Sequence, residues 1–236
     1  HNKQKPRNPK MTLKENLKRT IEKIETAKKK HGLKQHVEIV AATKTRQISI
    51  IQDCYKLGIT TIGENRIQEA EEKFIHFPGF ENIKKRFIGH LQTNKVKKCL
   101  NIFDTVDSID TTKLAKKLNA APKKNKKKVE CLLEINTSKE PQKKGFPPKL
   151  TKDLVSCFNL PELNIVGLMT IGPNTRNEKQ VRNSFSELRN LKDKINKEIG
   201  INGIKELSMG MTNDFEIGVQ EGATMIRLGT GLFGKR

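Results

Sequence analysis

The stretch Val40-Ala41-Ala42-Thr43-Lys44-Thr45 runs a small, apolar, β-branched segment into a lysine with no acid beside it. A lysine at the end of an apolar strand is costly unless it is solvated, paired or used covalently. Desolvation favours the neutral amine, and the neutral amine attacks carbonyls. Lys44 is therefore a candidate for a Schiff base with an aldehyde; the bland alternative is a strand-end lysine reaching into solvent. A second pair of segments suits an anion. Ser208-Met209-Gly210-Met211-Thr212 and Gly229-Thr230-Gly231 each follow a short apolar run. Their small residues let backbone N–H groups approach a phosphate, and their hydroxyls add donors. Arg227 stands inside Met225-Ile226-Arg227-Leu228, where an arginine must pair or face a cavity. It suits a phosphate, a ring nitrogen or a structural ion pair. Gly63-Glu64-Asn65 and Gly89-His90-Leu91-Gln92 add Asn65 and His90 as polar groups after two more apolar runs.

A reactive lysine and a phosphate cradle together fit a phosphorylated aldehyde, and pyridoxal 5′-phosphate is such a molecule. The same pair of features fits a barrel aldolase acting on a sugar phosphate through Lys44. No histidines or cysteines stand at metal-ligand spacing, so no metal ligand is expected.

These residues need elements to position them. Residues 13–30 carry Leu13, Leu17, Ile21 and Ile24 at helical spacing. Strands are expected at 37–43, 59–63, 86–90, 102–106, 129–135, 165–170, 206–209 and 224–228. Helices are expected at 48–57, 67–75, 94–99, 111–120, 150–158, 178–198 and 214–221. Eight strands, the first seven each followed by a helix, imply a parallel sheet closed into a single (β/α)8 TIM barrel with an extra N-terminal helix. An open doubly wound sheet is the alternative. In a barrel the chemistry sits at the C-terminal ends of the strands, where each candidate residue falls.

The chain has 236 residues, 34% hydrophobic and 31% charged, a size that suits one large α/β domain over 11–236. It begins with His1 and a basic tail over 1–10; Met11 is the expected start of the native chain. No apolar run reaches the roughly 18 residues of a membrane span, and no secretory pattern is seen, so a cytoplasmic protein is expected. Cys54, Cys99, Cys131 and Cys157 read as reduced thiols. The net charge of +21 raises nucleic acid as a partner. Much of the charge lies in the tail and in Lys123, Lys124 and Lys126 to Lys128, and aromatic residues are only 5% of the chain. A solvated basic surface with no specific nucleic-acid partner is the better reading.

At these residues the chain resembles the pyridoxal phosphate homeostasis proteins, a family whose barrel is similar to the N-terminal domain of alanine racemase (fold type III). The matching segments are 41–45, 63–65 with Gln68-Glu69, 87–95, 167–170, 207–211, 214–216 and 227–234. The resemblance runs from Met11 to the end of the sequence, departing in the basic tail and in 123–128. It implies pyridoxal phosphate as cofactor, held as an aldimine of Lys44, with Ser208, Gly229 and Thr230 near the phosphate and Arg227 near the pyridine nitrogen. Asn65, His90 and Met209 complete the candidate cofactor-binding set. It further implies a cofactor carrier or regulator in intracellular homeostasis rather than an enzyme, with cofactor-dependent apoenzymes as candidate partners, as a monomer or weak dimer. The second domain and tyrosine base of alanine racemase have no counterpart in the sequence, and Tyr55 lies mid-helix. No catalytic residue is therefore expected; a weak racemase or a Schiff-base aldolase is the competing expectation.

Overall fold

The computed structural model describes residues 11–75, 81–122, 127–200 and 203–234. The basic tail, Lys123, Lys124 and Lys126 lie outside the described residues; Lys127 and Lys128 are exposed.

Helix α1 (Leu13–Lys30) opens with a capping box: the Glu15 N–H donates to Thr12 Oγ1 at 3.2 Å, and the Thr12 N–H donates to Glu15 Oε2 at 2.7 Å. Its buried face is Leu17, Thr20, Ile24 and Ala27, so Ile21 is exposed rather than part of the stripe. Then follow β1 (Glu38–Ala42), α2 (Ile48–Lys56), β2 (Thr61–Glu64), α3 (Ile67–Ile75), β3 (Lys84–Phe87), α4 (Val96–Ile102), β4 (Thr105–Ile109), α5 (Thr112–Ala120), β5 (Val129–Glu134) and α6 (Lys152–Ser156). The chain continues through β6 (Leu163–Met169), α7 (Glu178–Ile199), β7 (Glu206–Met211), α8 (Phe215–Gln220), β8 (Met225–Leu228) and α9 (Thr230–Phe233). The strands pair in sequence order, all parallel, and β8 returns to β1 with Val40 opposite Arg227, closing the expected barrel.

Strand alternation divides the core in two. One set of side chains, including Ala41, Ile62, Phe87, Leu133, Leu207 and Ile226, packs between barrel and helices. The other set points inward; its apolar part is Val40, Leu132, Met169 and Met225, with the half-buried Val166 and Ile171 packed on them. Much of the rest of the interior is polar or charged. Arg86 on β3 is buried; its Nη1 lies 3.1 Å from Asp107 Oδ1, and its Nη2 lies 3.4 Å from Glu38 Oε2 and 3.7 Å from Glu130 Oε1. Lys84 Nζ donates to Glu130 Oε1 at 2.7 Å. Burial alone would lower the Arg86 pKa, but the carboxylates of Asp107, Glu38 and Glu130 overcome it and the net shift is upward.

This interior explains the largest differences from the expected elements. The third strand is Lys84–Phe87, not 86–90, and the fourth is Thr105–Ile109, not 102–106. Both carry charged or polar residues at inward positions, where a search for apolar alternation finds nothing. Ile102 instead ends α4, and Phe103 stacks edge-on against Phe87 at 5.2 Å between the barrel and its helices. The short helix expected at 94–99 is a 3-10 turn, Thr93–Lys95, leading into α4. An eighth helix after the barrel strands, α9, was not expected.

Candidate functional site

The C-terminal ends of the strands surround a cavity of about 1340 Å³. Six of the candidate residues line it: Lys44, Asn65, His90, Arg227, Gly229 and Thr230. The other two do not. Ser208 is fully buried beneath Arg227, and Met209 is fully buried on the outer face of β7, packed against the helices. Strand alternation sets this outcome: on β7 the two cannot share a face.

Lys44 is the first residue after β1 to clear the barrel. It is exposed at the rim, so the burial argued from the sequence belongs to Thr43 and not to Lys44. What holds the lysine is its backbone. The Thr43 N–H donates to the Gly63 carbonyl at 3.1 Å, extending the β1–β2 pairing, and its hydroxyl donates to Glu64 Oε1 at 2.6 Å. Lys73 Nζ on α3 donates to the Thr43 carbonyl, Glu64 Oε1 and Glu69 Oε1 at 2.8, 2.8 and 2.7 Å. On the other side of Lys44, Thr45 has a φ of 59°, a left-handed conformation unusual for a β-branched residue. The Glu69 carboxylate accepts from the Thr45 N–H and fixes that turn. Burial would raise the Glu69 pKa, but hydrogen bonds from Lys73 and Thr45 outweigh it and the net shift is downward. Glu64, buried more deeply, is shifted upward by desolvation in spite of Lys73 and Thr43.

Arg227 crosses the cavity floor. Its Nη1 donates to Ser208 Oγ and its Nη2 to the Thr170 carbonyl, both at 2.7 Å. Burial lowers its pKa against the opposing charges of Asp107, Glu134 and Asp214; an arginine remains a cation under such a shift. Beside it, the loops after β7 and β8 meet. The Gly231 N–H donates to Thr212 Oγ1 at 3.0 Å, and the Thr230 hydroxyl lies 3.4 Å from the same atom. Gly210 has a φ of 102°, and a Cβ there would fall 2.8 Å from Phe215 Cα, so the β7 loop turns here only with glycine. On the far wall, a Cβ at Gly89 would fall 2.3 Å from the Asn65 carbonyl oxygen. Glycine lets these two loops touch and brings Asn65 and His90 to one rim. His90 Nδ1 lies 3.0 Å from Asp110 Oδ2.

Thr212 falls in the anion loop read from the sequence; sequence reasoning missed Asp110, Asp214 and, above all, Glu134. Glu134 ends β5, lines the cavity and is 7% exposed. Desolvation, aided by the charge of Asp110 and opposed by Arg227, pushes its carboxyl up to about 7 from 4.5. Its signal was the alternation Glu130-Leu132-Glu134, which places two acids on the inward face. Tyr55 is exposed on α2 and takes no part in the cavity lining.

Glu134 has a consequence for stability. Its folded pKa lies above its unfolded value, so the unfolded chain releases the proton first as pH rises. Stability contributed by the protonated group falls between about pH 4.5 and about pH 7, and above that the cost stands at about 3 kcal/mol. Glu134→Gln is expected to raise the thermal midpoint at about pH 8 and to match the parent near about pH 4. Equal gains at both pH values would contradict the assignment.

The geometry agrees with what the chain resembles. Residues 15–236 match the family model described as alanine racemase, N-terminal domain. The pyridoxal phosphate homeostasis protein of Aquifex aeolicus is 36% identical over 94% of this chain and 97% of its own. That of Homo sapiens is 37% identical over 84% of this chain and 76% of its own. The PipY protein of Synechococcus elongatus, solved with PLP bound, superposes with a TM-score of 0.81 at 28% identity, covering 94% of this chain and 100% of the other. An alanine racemase of Clostridium difficile shares the fold alone, at 14% identity and a TM-score of 0.72, and this chain spans 57% of it. A barrel with these loops and these relatives belongs to the pyridoxal phosphate homeostasis protein family.

Proposed function

We propose that this protein binds pyridoxal 5′-phosphate at the barrel mouth and holds it as a carrier or regulator in cofactor homeostasis. The observation that carries this reading is the convergence on one cavity of a solvent-accessible amine, a buried guanidinium and a loop pair carrying the hydroxyls of Thr212 and Thr230. The donor set fits the cofactor. Thr212, Thr230 and the small residues Gly229 and Gly231 suit its phosphate, and Arg227 suits its ring nitrogen. When bound, the cofactor supplies an aldehyde carbonyl that a primary amine can engage, and Lys44 is the amine the β1 turn presents.

The residues favour holding over turnover. Arg227 is a permanent cation already donating to Ser208 and Thr170, so it does not transfer a proton to a ring nitrogen as a carboxylic acid does. The ring is then a poor electron sink. Lys44 stands at the rim, open to an incoming acceptor, which suits release to apoenzymes that use the cofactor. The four buried cysteines, none in a disulfide, support a reducing compartment such as the cytoplasm. Among the described residues no helix is long and apolar enough to cross a membrane.

Loading the purified protein with pyridoxal phosphate is expected to give a yellow species that hydroxylamine bleaches. Incubation of that species with a cofactor-free transaminase is expected to restore the transaminase. A colourless protein at saturating cofactor would end this reading.

A further inference from the structure

Glu134 is a buried carboxylate without a hydrogen-bonding partner for its side chain among the described residues, and it faces the cavity. Its oxygens keep access to solvent only through that cavity, so a donor for the carboxylate has to arrive from there. The cavity carries charges of both signs, and Arg227 is near enough to oppose the upward shift of Glu134. Lys44 after β1 and Arg227 on β8 make one wall cationic, beside the hydroxyl loops. In the closed strand order β5 lies across the barrel from β1, and there Glu134 is joined by Asp110, itself 6% exposed and 3.0 Å from His90 Nδ1 through its Oδ2. Asp214 stands after β7, and Lys143 after β5 is engaged by Glu140 and the Gly172 carbonyl at 2.9 and 2.6 Å. The cavity of about 1340 Å³ exceeds the ~300–1,000 Å³ usual for a ligand pocket, so a cofactor on the cationic wall leaves space opposite.

We propose that the Glu134 wall is a second subsite, which binds the ammonium group of a small primary amine beside the cofactor. The ion pair gives Glu134 its missing donors. It also brings an amine to the same cavity as Lys44, and Glu134 accepts the proton that an ammonium group loses before its nitrogen can act as a nucleophile. The exposed cations Lys144 and Arg176 at the rim would hold a carboxylate if the amine is an amino acid. This inference rests on the pyridoxal phosphate reading only for what fills the opposite wall.

Ethylamine and L-alanine serve as probes, with binding read by ligand-observed NMR. Each is titrated against cofactor-free protein and against protein reduced with borohydride after cofactor loading. Glu134→Gln is expected to weaken binding about tenfold or more in both forms. The parent protein is expected to lose binding by a similar factor between about pH 8 and about pH 5.5, as Glu134 takes a proton while both probes keep their ammonium charge. His90, Asp214, Arg227, Lys44, Lys143, Lys144, Arg176 and Glu178 also line this space, with Asp110 behind His90, and the Gln variant separates Glu134 from them because its own pH response is expected to be flat. Tighter binding of L-alanine assigns the subsite to amino acids; equal binding assigns it to simple amines. Binding unchanged by Glu134→Gln, or unchanged with pH in the parent, overturns the proposal. Should the cofactor reading itself fail, no reduced adduct forms, while the cofactor-free titration still reports on Glu134.

Discussion

Lys44→Ala is expected to erase the visible absorbance of the cofactor-loaded protein and to leave its fold intact. Lys44 is exposed, and its side chain makes no hydrogen bond or ion pair with any described residue; its one hydrogen bond, from the Thr45 hydroxyl to its carbonyl, survives in alanine, so the change in stability is expected to be less than about 0.5 kcal/mol. The turn that presents it is built by its neighbours: Thr43 and Thr45 are bound to Glu64, Glu69 and Lys73 whether or not residue 44 has an amine. The hydroxyl loops and Arg227 also remain. The variant therefore keeps a weak affinity for the cofactor, with the spectrum of the free aldehyde, while losing covalent attachment. Absorbance and thermal midpoint measured on one preparation separate the two effects. Undiminished colour in the variant would move the attachment point elsewhere.

Arg86→Met is expected to cost roughly 3–5 kcal/mol, on the order of 10 °C in the thermal midpoint. Arg86 is the cation for Asp107, Glu38 and Glu130 inside the barrel. Methionine fills much of its volume, so the loss comes from charge and not from a cavity. It leaves a fully buried Asp107 without its guanidinium. Deprived of Arg86, these carboxylates hold protons more readily than in the unfolded chain. The deficit is therefore greatest near neutral pH and shrinks as pH falls and they protonate. Arg86 does not line the mouth cavity, and cofactor bound per folded molecule is expected to be unchanged. A loss below about 1 kcal/mol would show that the interior ions contribute little beyond filling space.

The same interior marks the limit of what the sequence discloses. Apolar strands followed by amphipathic helices were legible because their outward faces pack on helices: Ala41, Ile62 and Leu207 announce β1, β2 and β7. β3 and β4 were misplaced because Lys84, Arg86, Thr105 and Asp107 face inward, Lys84 bound to Glu130 on β5 and Arg86 to Thr105 and Asp107 on β4, pairings across strands that local periodicity does not carry. At the site, small and hydroxyl residues at strand ends revealed the two loops, and Lys44 was found by its isolation after an apolar run. Its exposure was not, since burial depends on where the barrel rim falls. Ser208 and Met209 show the same limit: adjacent in sequence, one supports Arg227 and the other packs under α8. Glu134 escaped notice because the alternation Glu130-Leu132-Glu134 shows that two acids share a face but not that this face is the barrel interior.

The central claim is that the amine presented after β1 is the one that holds the cofactor. Reduction of the loaded protein with borohydride, followed by proteolysis and mass spectrometry of the peptides, tests it directly. The account predicts a pyridoxyl adduct on the peptide carrying Lys44, absent from Lys44→Ala. An adduct found only on another lysine, such as Lys143 at the same cavity, would contradict it.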